Sequence, residues 1–446
     1  MTPHTKVAWA LAMPAVLVTA FTACSAPRIA EADRTIGSDS LICRRMADIG
    51  VEFTSDNSVT LLFSGQEKFD DLFHAIRQAR HHVHLEYFNF RNDSIASLLF
   101  DILREKRKEG VEVRALFDAF GNDSNNQPLR KHHIEALRRD SVEIYEFDPI
   151  RFPWVNHIWP RDHRKIVVID GAMAYTGGMN VADYYITGTQ QVGPWRDMHC
   201  RLEGGTVDFL QQIFLHSWKK VTGEQLSKEK YVSVPPPHTP FTGLKADTTA
   251  TAAHKLVGIV NREPGVVKLN DGTTLGRKDA VRRLYIDAID AATDSINIIN
   301  PYFTLTPGVS RALKRAIKRG VKVDLMISSK SDIPLTPDCA FFQMHRMMKR
   351  GANVWLYNDG FHHSKIMMVD GKFCTVGSTN LDSRSLRFDY EENALIIDKN
   401  TTRELDDMFN RDKAHCIQLT EQTWREFRNC WQRLRGRLAW LLRPFL

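Results

Sequence analysis

No C-x-x-C pair occurs in this 446-residue chain, and its seven cysteines (Cys24, Cys43, Cys200, Cys339, Cys374, Cys416 and Cys430) follow no zinc-type spacing. Neither a metal site nor a disulfide framework is therefore expected, and most of these thiols read as small buried apolar residues. Long apolar runs are also missing beyond the first thirty residues, which excludes a polytopic membrane protein. Hydrophobic residues at 43% and charged residues at 25% lie close to the globular average and exclude a disordered chain. Charge of one sign is not extreme: a net +7 suits a surface facing anionic lipid and equally an ordinary solvated exterior. The length calls for roughly two or three domains with a sizeable core.

The beginning of the chain reads as a targeting segment. Residues 7–23, VAWALAMPAVLVTAFTA, carry no charge, follow Lys6 and precede Cys24. At about 1.5 Å per residue a helix of this length reaches roughly 26 Å, short of a hydrocarbon core of about 30 Å, and Pro14 interrupts it. A signal peptide fits better than a spanning helix. The ending FTAC-S is similar to a bacterial lipoprotein signal, in which the cysteine is lipidated and becomes the first residue, although Phe21 stands where Leu is usual. Lipidation at Cys24, an uncleaved anchor and plain secretion all place the protein at or beyond a membrane, in a bacterial cell envelope.

What the chain does have is an internal repeat. RKEGVEVRALFDAFG, ending at Gly121, is matched by IKRGVKVDLMISSKS, ending at Ser331. Each runs from a basic helix end through Gly into an alternating strand. Upstream, an amphipathic helix with Phe69, Leu72, Phe73 and Ile76 precedes VHLEYFNF, and one with Leu284, Ala288 and Ile289 precedes INIINPYF. Downstream, DHRKIVVIDGAMAYTGGMN pairs with HHSKIMMVDGKFCTVGSTN. His163 and His363 are 200 positions apart, and the interval holds for Lys165 and Lys365, Asp170 and Asp370, and Asn180 and Asn380. A Pro- and Thr-rich stretch without period separates the halves. The expected organisation is a targeting segment (1–23), a lead-in (24–55), a first lobe (56–229, motif region 158–185), a linker (230–256), a second lobe (257–420, motif region 358–385) and a basic amphipathic tail (421–446). The expected fold is α/β: two pseudo-symmetric lobes, each a mixed sheet flanked by helices, with the active site at their interface.

The repeated unit is H-x-K-x-x-x-x-D. In an extended strand residues i and i+2 share a face, so His163 with Lys165, and His363 with Lys365, project toward one pocket. A phosphodiester needs a nucleophile for phosphorus, an acid for the leaving alkoxide and cations for the nonbridging oxygens. Two His–Lys pairs supply all three. Asp170 and Asp370 complete the two motifs and are counted with the catalytic set. The trailing GGMN and GSTN place Asn180 and Asn380 in turns where backbone and amide donors approach a phosphate. Asp197 in WRDMH and Glu391 in FDYEENA are carboxylates able to hold an imidazole in its reactive tautomer from behind. Each His neighbour is a cationic Lys, which argues against a metal. His362 points away from His363 in a strand and reads as a lining or surface residue.

These residues resemble the phospholipase D superfamily over nearly the whole chain after the targeting segment. Within it, HRKIVVIDG with GGMN and WRDMH, and HSKIMMVDG with GSTNLDSRS and YEENALI, look like the two halves of bacterial cardiolipin synthase. Asp389, Tyr390 and Glu392 vary around Glu391, and one short apolar segment replaces the family's two N-terminal spans. The resemblance implies that two phosphatidylglycerol molecules become cardiolipin and glycerol through a phosphohistidine, with no cofactor or metal. It implies His163 as nucleophile and His363 as general acid. The alternative is a hydrolase of the same superfamily, phospholipase or nuclease, with water as acceptor. A scaffold with a dead site conflicts with the intact motifs.

Two segments are expected at a lipid interface. RFPWVNHIWPR (151–161) carries Phe152, Trp154 and Trp159. The tail interleaves Arg428, Arg433, Arg435, Arg437 and Arg443 with Trp431, Leu434, Leu438, Leu441 and Leu442, the composition of a surface-lying helix. An anionic membrane surface is the expected partner; nucleic acid is not, since a nuclease would show a stronger basic groove.

Overall fold

In a computed structural model the chain is described over residues 36–149, 159–231, 254–332 and 336–441. The targeting segment with Cys24, the loop residues Phe152 and Trp154, and most of the expected linker lie outside the described residues.

The first half contributes β1 (Phe53–Leu62), β2 (His82–Tyr87), β3 (Glu112–Asp118), β4 (Glu143–Phe147), β5 (Lys165–Ile169), β6 (Met173–Gly177), β7 (Trp195–Arg196) and β8 (His199–Glu203). The second contributes β9 (Lys255–Arg262), a β10 (Val266–Lys268) and β11 (Thr274–Arg277) hairpin, β12 (Ser295–Ile299), β13 (Lys322–Ser328), β14 (Asn353–Tyr357) and β15 (Phe361–His362). It ends with β16 (Ile366–Val369), β17 (Phe373–Gly377), β18 (Glu391–Ile397) and β19 (Cys416–Gln418). Fifteen of these form one sheet in the order β19-β14-β13-β12-β16-β17-β18-β9-β1-β8-β6-β5-β2-β3-β4. Read outward from the central antiparallel β1–β9 pair, each half repeats the same order. β2, β3 and β4 run parallel, as do β12, β13 and β14, while β5 and β16 are antiparallel to their neighbours, so both lobes are mixed.

The motif strands show why the halves must stack in this way. In β5, Val167 and Ile169 enter the first lobe's own core, whereas Ile166 and Val168 face a core shared by both lobes. In β16, Met367 and Val369 enter the second lobe's core and Ile366 and Met368 the shared one. Period-2 alternation with both faces apolar requires helices on both sides. Helix Gly65–Gln78, capped by Ser64 accepting from the Glu67 amide, buries Phe69, Leu72, Phe73 and Ile76 on the outer face. Helix Ala280–Ala291 does the same in the second lobe with Leu284, Ala288 and Ile289. Helices Thr206–Thr222 and Lys399–Lys413 cover the shared face with Leu210, Ile213, Leu405 and Phe409.

The lobe edges differ from the expected boundaries. Helix Ser38–Ala47, in the segment expected to lead into the first lobe, packs on the second: Ile42 and Met46 join its core, and Arg45 pairs with Asp287 at 3.4 Å. At the other end, Trp424 of helix Glu421–Phe427 is buried in the same core, so the expected tail begins inside the lobe. Among the described residues no helix is long and apolar enough to cross a membrane.

Candidate active site

The two lobes exchange short segments just before each motif histidine. Ahead of the first, Asp162 bridges Tyr390 in parallel; the Tyr390 amide donates to the Arg161 carbonyl at 2.8 Å and the His163 amide to the Tyr390 carbonyl at 3.0 Å. Ahead of the second, β15 pairs in parallel with β7, and the His363 amide donates to the Arg196 carbonyl at 2.6 Å. The residue after each exchanged segment is a carboxylate, and each therefore lands beside the other half's histidine. His163 Nδ1 meets Glu391 Oε1 at 3.0 Å, and His363 Nδ1 meets Asp197 Oδ2 at 2.7 Å. Both carboxylates are fully buried, while the imidazoles keep 14% and 10% exposure. Binding Nδ1–H to a carboxylate leaves the lone pair on Nε2.

The lysines close the site. Lys165 Nζ donates to the His163 carbonyl, and Lys365 Nζ donates to the His363 carbonyl at 2.6 Å and lies 2.9 and 3.1 Å from that ring's two nitrogens. Charges from the two halves act on one another. Burial, then Lys165 and Lys365, hold His163 well below the usual imidazole range. Burial pushes Lys365 down to about 8, with Asp197 opposing and Lys165 reinforcing the shift. Burial and Lys365 push His363 down to about 4 against the pull of Asp197. Burial lifts Glu391 to about 7, opposed by Lys165 and by the Ser378 hydroxyl that donates to it. One electrostatically continuous site at the lobe seam thus holds both His–Lys pairs.

The residues between His and Lys point the other way, as alternation demands. Arg164 is buried against Glu86 at 2.9 Å, Asp162 at 3.2 Å and Glu263 at 2.9 Å, pinning the end of β9 to the first lobe. The turns after β6 and β17 differ by one atom group that matters. A Cβ on Gly178 would come within 2.3 Å of Asp197 Oδ1, so glycine makes room for that carboxylate. Its counterpart Ser378 instead uses its hydroxyl to bind Glu391. Asn180 and Asn380 are 5% and 6% exposed, and the side-chain oxygen of each has no hydrogen-bond partner among the described residues. An amide placed in this way, in either flip, is available to a ligand's polar atoms.

Asp170 and Asp370 are not brought to this site. The five residues of β5, at about 3.3 Å each, put Asp170 roughly 17 Å from Lys165. Asp170 and Gly171 adopt left-handed backbone (φ 53° and 63°), as do Asp370 and Gly371 (53° and 61°): the Asp-Gly of a tight hairpin turn. The Asp170 carboxylate accepts from the amides of Arg80, His81 and His82 at 2.8–2.9 Å, clamping the start of β2. Asp370 binds the amides of Thr293, Asp294 and Ser295 ahead of β12. Their motif position is explained by folding, which corrects the catalytic reading. Asp170→Ala is accordingly expected to lower stability by about 2–4 kcal/mol, the worth of several charge-assisted hydrogen bonds, and to leave the rate per folded molecule within about threefold. Thermal melts with rates normalised to folded protein decide this; an intact melting temperature with a thousandfold slower rate contradicts it.

His362 is buried rather than at the surface, its Nε2 3.0 Å from Asp412, which also pairs with Arg196 at 2.8 Å. Several neighbours had not been singled out from sequence. Phe88 lies 5.0 Å from the His163 ring, and Trp195, Phe361 and Tyr302 lie 5.4, 5.6 and 6.1 Å from the His363 ring. Phe88 and Tyr302 lie in the last three residues of the two repeated runs VHLEYFNF and INIINPYF, a signal that was available. Lys68, fully buried, donates to the Asn180 carbonyl at 3.1 Å; burial drives it well below the usual amine range, with Asp197 opposing. Nothing local marks it out from other helix lysines. Trp159 is exposed and packs 5.8 Å from Phe388, with Arg384 4.7 Å over its ring.

A pseudo-twofold sheet carrying two His–Lys pairs at its seam defines a phospholipase D-like protein. Phosphatidylserine synthase from Haemophilus influenzae Rd KW20 shares the fold, with a TM-score of 0.65 at 14% identity, over 91% of this chain and 100% of that one. The family profile described as "Cardiolipin synthase, PLD-like domain" matches residues 72–190 and 285–413, more than half of the sequence, and the chain belongs to that family. A cardiolipin synthase of Halalkalibacterium halodurans is 33% identical over 389 residues, 87% of this chain and 71% of its own length. One from Alkalihalophilus pseudofirmus is 31% identical over 414 residues, 92% of this chain and 76% of its own.

Proposed function

We propose that the protein is a cardiolipin synthase that moves a phosphatidyl group from one phosphatidylglycerol to a hydroxyl of another at a membrane surface, without cofactor or metal. The observation that carries the reading is the crossed pairing of each imidazole with the other lobe's carboxylate, which gives two identical side chains unlike surroundings. His163 sits under two ammonium groups beside a carboxyl lifted to about 7, an environment favouring the neutral ring. His363 is held down to about 4 by burial and Lys365 in the free site; Asp197 pulls toward the cation, and the negative charge of a bound phosphate adds to that pull and supplies the protonated ring the acid role needs.

His163 Nε2 forms the P–N bond as the bond from phosphorus to the glycerol headgroup oxygen breaks, and His363 passes its proton to that oxygen. Lys165, Lys365 and the Asn180 and Asn380 amides balance the nonbridging oxygens. Glycerol leaves. A hydroxyl of the second phosphatidylglycerol then gives its proton to His363 while its oxygen takes phosphorus and the P–N bond breaks, returning both rings to their starting states. The aromatic lining by Phe88, Trp195, Phe361 and Tyr302 limits water, which would divert the intermediate to phosphatidic acid.

Incubating the full chain with phosphatidylglycerol vesicles and identifying products by mass spectrometry tests the reading. Cardiolipin with an equal amount of glycerol is the expected result. Phosphatidic acid alone would replace the transferase by a hydrolase on the same site.

A further inference from the structure

Among the described residues the exposed large apolar side chains stand singly or, as Trp159 and Phe388, in a pair, apart from one larger group. On the C-terminal helix Cys430–Leu441, Trp431, Leu434, Leu438 and Leu441 are 64%, 43%, 55% and 64% exposed. Steps of three, four and three residues put them along one face. The other face is firmly seated on helix Thr336–Met348. A Cβ on Gly436 would come within 2.7 Å of the Asp338 carbonyl, so only glycine allows this approach. Arg428 and Arg435 both pair with the Asp338 carboxylate, and Arg346 lies 4.5 Å over the Trp440 ring. The helix orientation is therefore set by packing, and the apolar stripe is held outward.

Beside the stripe runs a cleft of about 340 Å³ whose lining includes Lys349, Arg425, Arg433 and Arg437 together with Phe342 and Trp424. Glu421, its one acidic lining residue, is already paired with His345 at 3.0 Å and Lys349 at 3.4 Å. Leu434 borders both cleft and stripe. An apolar stripe flanked by guanidinium groups matches a medium that is apolar inside and anionic at its edge.

We infer that this face seats the protein on an anionic phospholipid leaflet, with Trp431, Leu434, Leu438 and Leu441 entering the acyl boundary and the cleft cations holding headgroup phosphates. It names the partner surface of the lipid-acting enzyme proposed above and rests on that reading, but its test does not use activity. Hydrogen–deuterium exchange is measured on the full chain with equimolar phosphatidylserine and phosphatidylcholine vesicles, which supply an anionic surface without the proposed substrate. Exchange across residues 430–441 is expected to slow by about tenfold, and much less on pure phosphatidylcholine. Leu434→Asp with Leu438→Asp, and separately Arg433→Gln with Arg437→Gln, should abolish the protection at unchanged melting temperature, because these side chains do not support the core. Cardiolipin formation in detergent micelles should persist in both variants. No protection on anionic vesicles, equal protection on neutral ones, or protection without lipid that grows with protein concentration, as a second copy would give, overturns the inference. Absence of cardiolipin under every condition would instead overturn the synthase reading and leave this result standing.

Discussion

Cardiolipin formation should fall by about a thousandfold or more in His163→Ala and in His363→Ala alike, because each ring has a task the other cannot assume from its own position. The double variant should be no slower than the worse single one, since both residues serve one step. The roles separate with a phosphatidyl ester of nitrophenol, whose leaving group departs without a proton. His363→Ala should release one equivalent of nitrophenol per site in a burst whose rate is within about tenfold of the unaltered protein, because P–N bond formation at His163 survives while deprotonation of the acceptor does not. His163→Ala should release none. Absorbance of the freed nitrophenolate reads both, and release by His163→Ala at a normal rate would exchange the two assignments or remove the covalent intermediate.

Asp197→Asn and Glu391→Gln should each lower turnover by about a hundredfold or more while leaving KM nearly unchanged, since the carboxylates orient the rings and do not touch the lipid. The sign of the pH effect follows from the charges. Asp197 raises the pKa of His363, so its removal lets that ring lose its proton at lower pH, and the alkaline limb of the rate profile should move to more acid values. Asp197→Glu should restore part of the rate and return the limb toward its place, which a merely structural defect would not do. A double-mutant cycle checks the crossing directly: His363 should couple to Asp197, and His163 to Glu391, with little coupling of His163 to Asp197 or of His363 to Glu391. Strong coupling of His163 to Asp197 would contradict the geometry.

Much of the scaffold was legible because its cause is local. IVVI and IMMV alternate between two cores, and helices with Phe69, Leu72, Phe73 and Ile76, or Leu284, Ala288 and Ile289, bury the faces their spacing marks. The motif aspartates misled for a physical reason: a carboxylate directly after β5 or β16 reads the same in sequence whether it serves a substrate or caps backbone amides in an Asp-Gly turn. Lys68 and the second-lobe packing of helix Ser38–Ala47 were invisible because each depends on contacts far along the chain.

The sequence by itself determined that two equivalent His–Lys strands close two equivalent α/β halves, since side-chain period and repeat spacing are properties of the chain alone. Only the tertiary structure decided which carboxylate serves which imidazole. His163 reaches Glu391 across 228 positions and His363 reaches Asp197 across 166. Backbone hydrogen bonds between the exchanged segments set both contacts, and a main-chain amide carries no trace of its partner in the residue letters.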